Sequence, residues 1–203
     1  MTEIGLFPLN LVLLPGERVP LHIFEERYKK LIGECLERNS EFGLVLAEDE
    51  RLRDVGTSAA VVEVLNRYDD GRLDVVVEGR RPFRLVEMTG GRPWLTAAVE
   101  ELAEDELQTD SSLAARCAAA FENLARAALL EPPDIEGTEH GLAYPIAAHV
   151  ALDPELKQEL LEIRNEDARL QRLIDILEGL AGAIAYRREA AERAAGNGKV
   201  DNF

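Results

Sequence analysis

The most concentrated group of residues that could do chemistry is the basic string Arg80-Arg81, with Phe83 and Arg84 close by. Side chains alternate along a β-strand, so Arg80 and Arg84 are expected on one face and Arg81 and Phe83 on the other. The cluster suits an anionic group; the alternative is that neighbouring acids neutralise the arginines in ion pairs. We predict that Arg80, Arg81 and Phe83 contact a peptide or partner. Trp94 is a further candidate, with a core position as its alternative.

Sequence signatures of catalysis are missing. A phosphate-binding loop needs a glycine-rich turn followed by Lys and Ser or Thr, because backbone amides must wrap the phosphates, and Gly198-Lys199 lacks both the upstream glycine and the hydroxyl. The string from Gly56 to Ala60 lacks the second glycine of a nucleophile elbow. A serine with a lysine base stays open, since such partners need only meet in space. We therefore predict a protein that is not an enzyme and has no catalytic residues.

Metal and cofactor binding are not indicated either. His22, His140 and His149 lack a second ligand at zinc-site spacing, and we interpret His22 and His149 as hydrogen-bonded core residues. The acidic clusters at residues 48–50 and 104–106 lack the glycine and the alternating spacing of a calcium loop. They are interpreted as solvated loop charges, and no metal or cofactor is predicted.

The composition is that of a soluble globular protein that can fold unaided. The chain has 203 residues, of which 46% are hydrophobic and 31% charged, and its formal net charge is -16. The electrostatic field of this negative net charge repels nucleic acid, because binding to nucleic acid depends on Lys and Arg displacing condensed counterions. Nucleic acid is therefore not an expected partner, and the acidic excess is larger in the second half of the chain.

The chain has two cysteines, Cys35 and Cys117, which are too few and too far apart in sequence for a disulfide framework. The lack of such a framework favours a location in the reducing cytoplasm. No charged segment followed by an apolar stretch opens the chain, and no run approaches the roughly 18 apolar residues of a membrane span. We predict a cytoplasmic protein that is neither exported nor inserted into a membrane.

The pattern changes near residue 105 and predicts an α+β protein. Residues 1–105 form a β-rich subdomain with one helix, residues 106–195 a helical bundle, and residues 196–203 a flexible tail. The predicted strands are Gly5 to Leu14, Arg18 to Phe24, Phe42 to Ala47, Ala59 to Tyr68, Arg72 to Gly79, Pro82 to Met88 and Trp94 to Glu101.

Local signals place the turns and helices. Asp70-Gly71 predicts a hairpin with a primed turn, because both residues tolerate positive φ. Apolar residues at helical spacing, from Tyr28 to Leu36, predict a helix that ends at Asn39. The later helices are predicted at Asp110 to Leu130, Glu139 to Ala151, Pro154 to Ile163 and Glu166 to about Ala194, with caps at Asp153 and Asn165.

Several strings resemble the N-terminal substrate-binding domain of Lon proteases. They are Phe7-Pro8-Leu9, Val12 to Gly16, Pro20-Leu21-His22-Ile23-Phe24-Glu25 with Arg27-Tyr28, Phe42-Gly43, Val55-Gly56-Thr57, Asp70-Gly71-Arg72 and Gly79-Arg80-Arg81-Pro82-Phe83. Gln158, Leu160-Leu161 and Arg169 to Leu177 resemble the helical half of that domain, so the resemblance spans about residues 3 to 180.

The resemblance implies a PUA-like pseudobarrel followed by a helical bundle, without ATPase or protease domains. It supplies no catalytic residues, and we interpret Pro15-Gly16, Pro20, Phe24 and Tyr28 as residues that determine the fold. It favours a non-catalytic module that binds polypeptide substrates or a protein partner, independently of ATP. The alternative is a scaffold that binds one folded partner through its helical half. RNA binding and a cryptic hydrolase are weaker alternatives.

Overall fold

The computed structural model describes residues 1–48, 51–103, 105, 110–138 and 140–197. Seven strands and one helix precede residue 102, and four helices follow it within this part of the chain. The strands are β1 Thr2–Leu9, β2 Arg18–Ile23, β3 Phe42–Glu48, β4 Arg51–Leu52, β5 Val55–Arg67, β6 Leu73–Thr89 and β7 Thr96–Glu101. The helices are α1 Glu26–Arg38, α2 Ser111–Ala127, α3 Ala143–Ala148, α4 Pro154–Glu162 and α5 Glu166–Asn197.

The sheet closes into a barrel, which confirms the predicted fold class. The strands follow the order β1-β7-β6-β5-β3-β4, and β1 also pairs in parallel with β3. Strands β1, β7, β6, β5 and β3 therefore form a ring, and β2 adds to the first half of β6 outside it. A closed barrel leaves few unpaired edges.

Strand β6 is one long strand where the sequence predicted two. Its predicted break falls at a β-bulge: Pro82 pairs with Thr57 and Gly79 with Ala59, so Arg80 and Arg81 lie opposite the single residue Ser58. The backbone N–H of Arg81 donates to Ser58 Oγ at 3.3 Å. The bulge also breaks the expected alternation, because Arg80 and Arg81 both reach the surface while Pro82 and Phe83 are both buried.

The β5–β6 hairpin is confirmed, but its predicted turn type is wrong. Gly71 has a φ of 82°, whereas Asp70 is not among the residues with positive φ. The N–H of Gly71 donates to Tyr68 O, and the N–H of Tyr68 donates to Arg72 O. This is a three-residue loop in which glycine alone occupies the left-handed position, so the primed turn with positive φ at both residues does not form.

Helix α1 forms as its apolar spacing predicts. Tyr28, Leu31, Ile32 and Cys35 are buried, and Asn39 ends the helix in the left-handed conformation at φ 49°. The ring of Tyr28 stacks on Phe7 with 4.0 Å between centroids, which joins α1 to the barrel. Residues 10–14, predicted as the end of the first strand, leave the sheet instead, and Val12, Leu13 and Leu14 pack in the core.

Helices α2 and α5 run parallel along their length. The backbone N–H of Asp110, before α2, donates to the Asp167 carboxylate at 3.0 Å, and Arg188 near the other end of α5 donates to Ala127 O at 3.4 Å. Asp110 caps α2 as a side-chain acceptor, and Asn165 accepts from Ala168 N–H at 2.9 Å. The predicted Asp153 cap does not form a side-chain hydrogen bond, although Pro154 occupies the first turn.

Helix α3 is shorter than predicted. It begins at Ala143, whereas the sequence predicted a start at residue 139, which lies outside the described residues. Gly141, at φ 88°, turns the chain into α3. Helix α5 continues to Asn197, slightly beyond the predicted end, and the tail from residue 198 also lies outside the described part.

One hydrophobic core crosses the predicted boundary near residue 105. Val12, Leu14, Leu46, Val55 and Leu102 of the β part pack with buried residues of all four later helices. The division into two subdomains stays a prediction, but the barrel wall and the helices share apolar contacts. No helix in the described ranges is long and apolar enough to cross a membrane.

A buried ion pair lies at the centre of the helical half. Arg169 is 1% exposed, donates to the Glu166 carboxylate at 2.6 Å and to Ile163 O at 2.7 Å, and stacks over Tyr144 at 4.0 Å. Glu166 accepts from the backbone N–H groups of Leu142 and Ala143. The pair thus binds the end of α4 and the start of α3 to α5.

Arg169→Met should lower the free energy of unfolding by about 3–5 kcal/mol, because it leaves the Glu166 carboxylate buried without its charge partner. The matched control is Arg172→Met on the same helix, which breaks a partly exposed pair with Glu159 and should cost less than about 1 kcal/mol. Urea unfolding followed by circular dichroism measures both. Equal losses in the two variants would contradict the central role of Arg169.

Candidate functional site

An exposed row of aromatic rings crosses the outer face of the β2–β6–β5 sheet. Phe24, just after β2, is 62% exposed, and its ring lies 6.0 Å from that of His22. The His22 ring lies 6.1 Å from Tyr68, at the end of β5. The guanidinium of Arg72 covers the Tyr68 ring at 4.9 Å. We call Phe24, His22 and Tyr68 the aromatic row.

Strand register places the row outside the core. His22 pairs with Asp74 on β6, which pairs with Asn66 on β5, while the next register position joins Ile23, Leu73 and Arg67. Ile23 and Leu73 are buried, so the side chains of His22 and Asp74 emerge on the opposite, solvent-facing side. The apolar inner face packs against α1 in the barrel core.

Asp74 ties the three strands together at the row. Its carboxylate accepts from His22 Nδ1 at 2.5 Å, from the Tyr68 hydroxyl at 2.7 Å and from Asn66 Nδ2 at 2.9 Å. These hydrogen bonds, with that of His22 the largest contribution, lower the pKa of Asp74 to about 2. The row is therefore fixed by a carboxylate whose two oxygens are both hydrogen-bonded.

Strand β5, which ends next to Tyr68, carries two further exposed apolar side chains. Val62 and Leu65 are the extra residues at two β-bulges of this strand, where its register against β6 shifts, and both are exposed. Among the described strands, β2 pairs with β6 alone, so its other edge is open. The site thus combines aromatic rings, aliphatic side chains and an unpaired strand edge.

The structure corrects three interpretations made from the sequence. His22 and His149 are not core histidines: the His22 side chain is 45% exposed, and the exposed His149 places Nδ1 2.8 Å from Pro145 O. Phe24 is not a packing residue of the fold, whereas Tyr28 is. In β2, Val19, Leu21 and Ile23 are half-buried or buried, and Arg18, Pro20 and His22 are exposed. Phe24 follows the exposed set just after the strand, although its side chain is of a type common in cores.

The predicted arginine site lies at a different place, between the barrel and the helical half. Arg80 and Arg81 line a cavity of about 320 Å³ with Thr138 and His140. Arg80 pairs with Glu78 at 2.5 Å, and Arg81 lies 3.8 Å from Glu41 and 4.0 Å from Glu101. Neighbouring acids therefore neutralise much of this cluster, and its binding role stays a prediction.

The two aromatic candidates of the sequence analysis are buried. Phe83 packs with Leu6, Val45, Ala97 and Val99, and Trp94 belongs to the core beside α1. Trp94 also lines a cavity of about 240 Å³ together with Arg92, whose guanidinium lies 5.5 Å from its ring. Solvent-exposed aromatic rings that contact one another occur in the row, which the sequence analysis did not select.

A metal site among the described residues would require several ligating side chains close to one another. No group of three or more His, Cys, Asp or Glu side chains in this part of the chain could hold a metal ion. Ser58 is largely buried and accepts a hydrogen bond from the Arg81 backbone. The chemistry that the aromatic row offers is apolar and hydrogen-bonded contact.

The chain matches a known protein family over most of its length. The substrate-binding domain of the ATP-dependent protease La (LON) matches residues 3–179. The chain belongs to the Lon substrate-binding domain family. The aromatic row lies within the matched residues.

Two Lon proteases illustrate the similarity. The chain is 28% identical to Lon protease of Paraburkholderia phytofirmans, over 95% of this chain and 26% of that protein. It is 30% identical to Lon protease of Anaeromyxobacter dehalogenans, over 83% of this chain and 22% of that protein. The chain therefore spans about a quarter of the length of these relatives.

Solved structures share the fold. The crystal structure of a Lon N-terminal domain protein from Xanthomonas campestris superposes with a TM-score of 0.68 at 25% identity, covering 86% of this chain and 98% of that one. The N-terminal domain of Mycobacterium avium complex Lon protease gives a TM-score of 0.64 at 21% identity, covering 87% and 98%. The predicted resemblance to the Lon N-terminal domain is confirmed.

The Asp74 carboxyl should titrate near pH 2 in the folded protein. Because its pKa lies below the ordinary value of 3.8, its hydrogen bonds stabilise the fold above about pH 4, and this contribution is lost as pH falls through about 2. His22→Ala removes the largest contribution, so the midpoint should rise toward the ordinary value. Phe24→Ala keeps all three hydrogen bonds and should leave it unchanged. Carboxyl ¹³C NMR titration measures the midpoints, and a normal wild-type value would contradict the network.

Proposed function

We propose that this chain is a non-catalytic polypeptide-binding module that holds unfolded segments against the aromatic row. The observation that carries the proposal is the exposure of Phe24 beside two further rings, on a rigid sheet of a Lon substrate-binding domain. Isolated exposed apolar residues are ordinary, but contiguous ones mark binding surfaces. Aromatic rings contribute large contact area with few rotatable bonds.

The hydrogen bonding of the row favours binding. Burying a polar group under a ligand is unfavourable unless that group keeps its hydrogen bonds. Both oxygens of Asp74 are already satisfied by His22, Tyr68 and Asn66, so a peptide can cover this carboxylate without leaving it unpaired. The row therefore offers a largely apolar surface in which the Asp74 carboxylate needs no new partner.

The open edge of β2 suits an extended chain. Strand addition pairs backbone groups and selects sequence only loosely, as recognition of many unfolded segments requires. Pro20 lacks an N–H group within this edge, which limits continuous pairing along the strand. In this proposal the peptide binds mainly through contacts between its side chains and the rings. Its backbone forms hydrogen bonds with only part of the β2 edge.

The similarity to known proteins supports the same role. The part of the Lon proteases that this chain matches is described as a substrate-binding domain. The proposal assigns no ATPase or peptidase activity to the chain, so binding should be independent of ATP. It places the module in the cytoplasm, where Cys35 and Cys117, both free and buried, would stay reduced.

Phe24→Ala should weaken binding to a permanently unfolded protein, such as reduced and carboxymethylated lactalbumin, by about five- to tenfold in Kd. The substitution removes a ring that is mostly in solvent, so the thermal unfolding midpoint should stay close to that of the wild type. Fluorescence anisotropy of the labelled probe measures Kd, with and without ATP.

The matched control is the double substitution of Arg80 and Arg81 to Ala, at the cavity predicted from the sequence. If binding depends on the aromatic row, this variant keeps the wild-type Kd. Loss of binding in the arginine variant but not in Phe24→Ala would move the site to that cavity. Absence of measurable binding by the wild-type protein would refute the proposed function altogether.

A further inference from the structure

Helix α2 ends in an unusual conformation. Leu129 N–H donates to Arg126 O at 3.1 Å and Leu130 N–H donates to Ala125 O at 2.9 Å, which together form a Schellman motif. This motif needs one residue in the left-handed region, and glycine is the usual choice because it has no Cβ. Here Leu129 takes that position, at φ 59°.

The leucine at this strained position does not compensate by packing. Leu129 is 76% exposed and Leu130 is 67% exposed, and a Schellman motif ordinarily buries the second of these positions against its own helix. The backbone hydrogen bonds fix the directions of both Cα–Cβ bonds. Residues held in sparsely populated backbone conformations cluster at functional sites, so the strain at Leu129 points to a role beyond folding.

A groove follows directly after the two leucines. The chain passes through Pro132 and Pro133 and runs back beside α2, enclosing a cavity of about 340 Å³. Its apolar lining consists of Ala118 and Phe121 of α2, Pro132, Pro133 and Ile135 of the returning segment, and Leu142 and Ile146 from the α3 region. The groove is large enough for one or two aliphatic side chains.

The rim of the groove is acidic. Glu122 and Asp134 line it, and Glu131 and Glu136 flank the returning segment in sequence. None of these four carboxylates forms an ion pair within the described part of the chain, although many other surface carboxylates do. Arg126, one turn after Glu122, donates to Asn123 Oδ1 instead. The rim carboxylates thus lack a direct ion-pair partner among the described residues.

We propose that this groove, together with the exposed Leu129 and Leu130 that precede its lining residue Pro132 in the chain, binds a segment of a protein partner that presents large aliphatic side chains next to Lys or Arg. The apolar lining selects the aliphatic group, and the unpaired rim selects positive charge. This surface is separate from the aromatic row, so it would let the module hold a partner while a polypeptide occupies the row.

The test is selection of a random dodecapeptide display library against the full chain. Wild-type protein should enrich peptides that combine Leu, Ile or Phe with Lys or Arg. Leu129→Gly should lose this class, with about a fivefold or larger rise in Kd for the best peptide, while its thermal midpoint does not fall. Glu122→Lys combined with Asp134→Lys should shift the preference from basic to acidic peptides.

Phe24→Ala separates this inference from the proposed function, because it should leave the groove peptides bound as tightly as in the wild type. Enrichment of the same peptides by wild type and both groove variants would overturn the inference, as would enrichment lost only in Phe24→Ala. If Leu129→Gly unfolds, the charge-reversal variant decides alone: an unchanged preference for basic peptides excludes the groove.

Discussion

The helical half depends on one requirement, that the charges of Glu166 and Arg169 be fully paired away from water. Isolated buried charges are highly unfavourable, so the carbonyls at the end of α4 and the amides at the start of α3 must converge on this pair. Gly141 belongs to the same arrangement, since a Cβ there would lie 2.3 Å from the Glu166 carboxylate. The ion pair thereby fixes the relative positions of three helices, and their shared core fixes them against the barrel.

The barrel imposes a different constraint on the aromatic row. Strands β5 and β6 extend beyond the closed ring, and β2 joins them there. This three-stranded extension buries one face on α1 and leaves the other in solvent, so alternate residues must be presented outward. The row is consequently held by backbone pairing on three strands, with Asp74 as the common hydrogen-bond acceptor of His22 and Tyr68.

Local patterns predicted much of this fold. The spacing of Tyr28, Leu31, Ile32 and Cys35 gave the correct buried face of α1, because helical periodicity is set by neighbours in the chain. The bulge at Arg80-Arg81 was not predictable, since it depends on the register against Ser58. The row was missed for a similar reason: Asp74 lies far from His22 in sequence, and Phe24 is chemically indistinguishable from a core residue. A site formed by strand pairing can be predicted only when the register of the strands is known, and a single sequence does not contain that register.

The hydrogen bond between His22 and Asp74 also determines which edge of the imidazole is offered to a ligand. An ionised carboxylate accepts hydrogen bonds and donates none, so Nδ1 must carry the proton in that contact. A neutral His22 therefore has Nε2 as a bare acceptor, in the middle of an otherwise apolar row. A peptide lying across Phe24 and Tyr68 would meet the Nε2 acceptor of a neutral His22. That acceptor favours a backbone N–H group at this point and disfavours a carbonyl. A single acceptor of this kind would select the position of one N–H group along the row, and so limit how far an extended peptide could slide across the rings.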